Sequence, residues 1–75
     1  MPELNARRAA LLDTIRRQTG EWTTGRVQRL YRTRGIAPLR ATARDDLHFL
    51  ARAGFLMLHE SPGRRFFTYS GSGAT

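Results

Sequence analysis

The stretch Thr42-Ala-Arg-Asp-Asp-Leu-His-Phe-Leu-Ala-Arg-Ala-Gly-Phe-Leu56 decides the fold. Ala43, Leu47 and Leu50 recur at spacings of four and three, with Ala51 beside them, which is the apolar stripe of an amphipathic helix. Leu39 adds a turn to that stripe, and Pro38 suits the start of a helix and is hostile to its middle. Ala41, Arg44, Asp45, His48 and Arg52 fall on the opposite side. Gly54 stops the helix, and the texture changes at once. Phe55-Leu-Met-Leu-His-Glu60 is short, apolar and of strand character.

Beyond this junction, Ser61-Pro-Gly63 is a turn signal. Arg65 to Ser70 (RFFTYS) reads as a second strand, with Phe67 and Tyr69 on one side and Phe66 and Thr68 on the other. The two runs form an antiparallel ribbon with Arg64 and Arg65 at its tip. A lone two-stranded ribbon is marginal in water, so it must lie on the helices. Phe55, Met57, Phe67 and Tyr69 are the large residues assigned to that contact.

Before the junction, two more helical patterns appear. From about Asn5 to Thr19, Leu4, Arg8, Leu11, Leu12 and Ile15 share one side, Asn5 can cap the start, and Gly20 ends the element. Asp13 pairs with Arg16 or Arg17 along the exposed side. Trp22 follows in a short link and is assigned as a core anchor. Thr23 or Thr24 caps the next helix, Val27, Leu30 and Tyr31 form its buried stripe, and Gly35 stops it. The expectation is an α+β domain over residues 1–69, three helices followed by a two-stranded antiparallel ribbon. Residues 70–75 read as a flexible tail.

Composition bounds the function. The 75 residues carry 13 basic side chains, all arginine, against 6 acidic ones, for a net charge of +7. One domain of this size has a compact core and no separate substrate domain. There is no cysteine, so disulfides and thiolate metal sites are excluded. Neither a metal nor a cofactor is expected. The adjacent Asp45 and Asp46 point about 100° apart on a helix and have no nucleophile beside them, so the chain reads as a non-enzyme. No signal peptide or 18-residue apolar run is present, which gives the expectation of a cytoplasmic protein with no membrane contact.

The placement of charge says more than its sum. Between Trp22 and Arg44 stand six arginines, Arg26, Arg29, Arg32, Arg34, Arg40 and Arg44, and no acidic residue. Short helices joined by a turn, with a basic ribbon beside them, suit DNA: a helix fits the major groove and a ribbon lies along the backbone or minor groove.

On these residues, Thr24 to Tyr69 resembles a winged helix-turn-helix domain of the bacterial transcriptional-regulator type. Thr42 to Leu56 looks like its recognition helix running into the first wing strand, through Leu47, Leu50 and Gly54. Gly63 to Ser70 looks like the wing and return strand, and Leu11 to Ile15 fits the first helix. The resemblance implies transcription control by binding double-stranded DNA, commonly as a homodimer on a palindromic operator. It places the recognition face on Arg40, Ala41, Thr42, Arg44, Asp45 and His48, and the wing contacts on Arg64 and Arg65. The segment Gly35 to Leu39 looks longer than the tight turn of the family.

Chemistry assigns roles within that face. Arg44 is the first choice for base contact, since a guanidinium can grip guanine O6 and N7 together. Thr42, Asp45 and His48 complete the base-contact set. Arg26, Arg29, Arg32 and Arg40 are assigned to phosphate, Arg40 because it lies near a helix start. Asp46 reads as structural, holding Arg26 or Arg29. Phe49 is assigned to the core, and the first helix, with Leu4 and Leu12 near its edge, to a subunit interface. The chain is expected to act as a small regulator or as one arm of a larger DNA-processing assembly, with control through abundance or partners. The competing readings are a winged-helix adaptor for an acidic protein partner and a sequence-blind architectural binder. RNA binding is disfavoured, because the glycine-rich clamp and aromatic strand motifs of common RNA modules are missing.

Overall fold

The computed structural model describes residues 4–36 and 40–70. Its order is α1 (Ala6–Arg17), α2 (Thr24–Thr33), α3 (Arg40–Arg52), β1 (Leu56–Ser61) and β2 (Arg64–Tyr69). This is the expected α+β arrangement of three helices followed by a two-stranded antiparallel sheet, the wing. Pro38 and Leu39, assigned to the start of the third helix, lie outside the described residues.

Alanine, leucine and arginine, all strong helix formers, supply nine of the twelve residues of α1, enough to carry the β-branched pair Thr14-Ile15. Asn5 caps it, its side chain accepting from the Arg8 N–H at 2.8 Å. Arg16 and Arg17 occupy the last turn, where the helix dipole favours cations. Thr23 caps α2 in the same way, accepting from the Arg26 N–H at 3.1 Å.

Both α2 and α3 end in the same device. The Ile36 N–H donates to the Tyr31 carbonyl at 2.8 Å and the Gly35 N–H to Arg32 at 3.2 Å. At α3, Phe55 donates to Leu50 at 2.9 Å and Gly54 to Ala51 at 3.1 Å. These are Schellman closures, which need a left-handed residue in the middle. Gly35 (φ 67°) and Gly54 (φ 90°) supply it without a Cβ clash. The second closure sends the chain from α3 to the first wing strand in three residues.

The core is where the three helices and the wing meet. Leu11 and Ile15 of α1, Val27 and Tyr31 of α2, Leu47 and Leu50 of α3, and Phe67 of β2 are all buried. Trp22 is buried as assigned, and its backbone does more than expected. It exchanges two hydrogen bonds with Phe67, Trp22 N–H to carbonyl at 2.8 Å and the reverse at 2.7 Å. Its indole N–H donates to the Gln18 carbonyl at 2.8 Å, satisfying the end of α1. One residue thus ties α1, the wing and the start of α2 together.

Strand phase corrects one expectation. Leu56 pairs with Tyr69 and Leu58 with Phe67, and these four face the helices. Met57 pairs with Thr68 on the outer side and is 54% exposed, so it does not hold the wing down. The run Leu56-Met-Leu58 is apolar throughout and carries no alternation from which the phase could be read. The loop of the hairpin is Pro62-Gly63, and Arg64 and Arg65 open the return strand directly beside it. Ser70, expected to begin the tail, donates its Oγ–H to the Gly54 carbonyl at 2.8 Å.

Leu12 is 3% exposed and belongs to the core, and Leu4 is half-buried and packs against that core.

Candidate nucleic-acid interface

Helix α3 buries Ala43, Asp46, Leu47 and Leu50, and this fixes which residues it shows to solvent. Arg40, Ala41, Arg44 and Asp45 are exposed, while Thr42 is half-buried. Arg40 and Arg44, four residues apart, stand on one line of the helix surface.

Beside that line runs an open groove of about 700 Å³. Its walls are the start of α2 (Thr23, Thr24, Gly25), Arg40 and Arg44 of α3, and the wing residues Glu60, Ser61, Gly63, Arg64, Arg65 and Phe67. The Arg40 guanidinium reaches over the start of α2: a methyl group placed on Gly25 would lie 4.0 Å from Arg40 Nη1. The first turn of a helix points N–H groups outward without intrahelical acceptors and carries the positive end of the dipole. Four arginines, Glu60 and a helix start therefore line one groove.

These four cations are not equivalent. Among the described residues Arg40 and Arg44 form no ion pair. Arg65 is paired with Glu60 at 3.0 Å across the strand pair, and Arg64 with Glu21. Arg64 also lies over the Phe66 ring at 4.8 Å, and His59 stacks on the same ring at 4.9 Å.

The other assigned residues are distributed more widely. Arg26 turns away from the groove: its guanidinium lies 3.7 Å over the Trp22 ring and donates to the Glu21 carbonyl at 2.8 Å. Arg29 and Arg32 are exposed on α2 but do not line the groove. Asp45 is exposed outside it. His48, placed on the exposed side by periodicity, is half-buried with its ring edge-on to Phe67 at 5.4 Å. Thr23, Thr24 and Gly25 were legible as a helix start, and nothing in the pattern put that start against α3 and the wing.

Asp46 is structural, with different partners from those assigned. It is fully buried and accepts from Arg7 Nε at 2.6 Å, Arg7 Nη2 at 2.9 Å, Arg8 Nε at 2.8 Å and Tyr31 Oη at 2.6 Å. Neither Arg26 nor Arg29 takes part. Burial pushes the Asp46 carboxyl up, but hydrogen bonds from Arg7, Tyr31 and Arg8 outweigh it and hold the group below its ordinary value. The same contact raises Arg7. Burial, then the hydrogen bond to the carboxylate, raises Tyr31. Arg8 completes the cluster by lying 4.0 Å over Phe49, which packs on the core. This network locks α1 and α2 to the buried side of α3, and so holds the exposed side at a fixed angle. Its signal in the sequence was Arg8 itself, a charge on the apolar stripe of the first helix.

Among the described residues no group of three metal-ligating side chains occurs, and no helix is long and apolar enough to cross a membrane. The topology is compatible with a winged helix-turn-helix architecture. Searches of protein-family models, curated proteins and solved structures return no match to this chain.

Proposed function

We propose that this chain binds double-stranded DNA as a small transcriptional regulator, with α3 directed at the major groove and the wing along the backbone. The observation that carries the reading is the groove in which Arg40 and Arg44, free of ion pairs among the described residues, face Arg64 and Arg65 across the start of α2. A duplex offers the matching chemistry, a regular row of phosphates beside base edges that an exposed helix can reach. Arg44 is the base-reading candidate of the set, with Thr42 and Asp45 flanking it. Arg40 and the wing arginines serve phosphates. Arg29 and Arg32 lie off the groove and have a smaller part. A homodimer would place two α3 helices about 34 Å apart on a palindromic site.

The experiment is a titration against a random duplex pool at two salt concentrations, followed by selection of bound sequences. Binding that weakens steeply with salt and enriches one sequence supports the reading. Steep salt dependence without enrichment makes the protein architectural, and absence of binding at low salt refutes the duplex reading.

A further inference from the structure

Resting on that duplex reading, we infer that Glu21 and Glu60 are internal competitors for the wing, so that the wing engages DNA by exchanging a carboxylate for a phosphate. The described residues contain few acidic side chains, and two of them are spent on the wing cations. Glu60 sits on β1 directly opposite Arg65 and pairs with it at 3.0 Å inside the groove. Glu21, next to the Trp22 bridge that docks the wing, pairs with Arg64. By contrast, Arg40 and Arg44 on the facing wall have no such partner among the described residues. One wall of the groove is therefore ready for phosphate and the other is held against its own protein.

The exposure of these pairs makes the exchange reversible. Both members are about half exposed, 58% and 49% for Arg64 and Glu21, 54% and 54% for Arg65 and Glu60. Exposed ion pairs are weak and screened by salt. They are strong enough to lower affinity for a polyanion and too weak to prevent it. Since phosphates carry no sequence information, the carboxylates lower the affinity for every duplex by a common factor. Discrimination is left to α3.

The probe is a fluorescently labelled duplex of mixed sequence at about 0.1 M salt, where charges more than ~10 Å apart are largely screened. Glu21→Gln and Glu60→Gln should each tighten binding about two- to fivefold, the factor that corresponds to one exposed ion pair. Asp13→Asn is the charge-matched control: Asp13 pairs with Arg17 on α1, which contributes nothing to the groove. Its affinity should stay near that of the unaltered protein. In an Arg64→Gln/Arg65→Gln background, the two glutamate substitutions should no longer tighten binding. Glutamate variants no tighter than Asp13→Asn would overturn the exchange while leaving the duplex reading intact. A gain that persists without the two arginines also overturns it, since the carboxylates would then repel DNA directly. Failure of the unaltered protein to bind duplex at all refutes the duplex reading, and the exchange with it.

Discussion

Replacing Asp46 by Asn removes one charge with almost no change of shape, at the point where three helices are bound together. The carboxylate is fully buried and accepts four hydrogen bonds from Arg7, Arg8 and Tyr31. An amide oxygen can keep two of them, but its NH₂ group meets donors, and both arginines lose their counter-charge. Breaking a buried ion pair from one side costs about 3–5 kcal/mol. The Arg7 and Arg8 side chains remain 31% and 23% exposed, so water recovers part of their solvation and the lower end applies. Against a total of about 4–11 kcal/mol for a chain of 75 residues, a loss of about 3 kcal/mol is a large share. It corresponds to a fall in Tm of about 12–24 °C for a domain this small. Thermal unfolding at pH 7, followed by circular dichroism, reads it directly. A second reading comes from acid. The native carboxyl lies below its ordinary value, so its contribution is complete above the unfolded pKa of about 3.9 and is lost as pH falls through the lower native pKa. The gap between the two proteins should therefore narrow below pH ~4. A variant melting within 5 °C of the unaltered protein at pH 7, roughly 1 kcal/mol, would refute the assignment of Asp46 as the electrostatic centre of the fold.

Tyr31→Phe removes one donor to that carboxylate and should cost about 1.5–3 kcal/mol. Because the phenol is raised by burial and by its bond to Asp46, its contribution is complete below pH ~10 and is lost as pH rises through the higher native pKa; this alkaline loss should be absent from the variant in melts at successive pH values. Leu56→Ala should cost about 2–5 kcal/mol, whereas Met57→Lys should fall within about 0.5 kcal/mol of zero, a contrast in urea midpoints that tests the strand phase. Arg40→Ala/Arg64→Ala should lower the slope of log affinity against log salt by about 1.8, for two lost phosphate contacts, and Arg29→Ala/Arg32→Ala should lower it by less. Equal slopes for the two pairs would remove the groove as the centre of binding. Thr23→Ala should lower Tm by about 4–8 °C, the worth of one helix cap near 1 kcal/mol.

The elements were legible because each is marked locally. Asn5 and Thr23 are caps, Gly35 and Gly54 are left-handed stops, and the stripes through Leu11, Val27 and Leu47 have helical spacing. The candidate site was legible in part. Arg40, Arg44, Arg64 and Arg65 come together in one groove, while Arg26, with the same charge and the same placement on a helix surface, is drawn onto Trp22. Charge tells what a side chain attracts, and only its neighbours tell whether it is already occupied. His48 shows the same limit: a position midway round a helix becomes half-buried because Phe67 arrives from a strand 19 residues later.

The order and approximate extent of the helices and strands are encoded locally, since capping, periodicity and glycine stops act over a few residues and need no partner. The sequence also determined that an arginine-rich surface would exist, because so few carboxylates are available to neutralise it. The tertiary structure decided which cations remain free. Asp46 meets Arg7 and Arg8 across 39 and 38 residues, Glu21 meets Arg64 across 43, and the Trp22 backbone finds Phe67 in the wing. Such pairings depend on the angles at which helices pack, and no spacing within one segment encodes them. The physical reason is range: hydrogen-bonded turns are local, whereas electrostatic partners are chosen by whichever charges the finished core brings within reach.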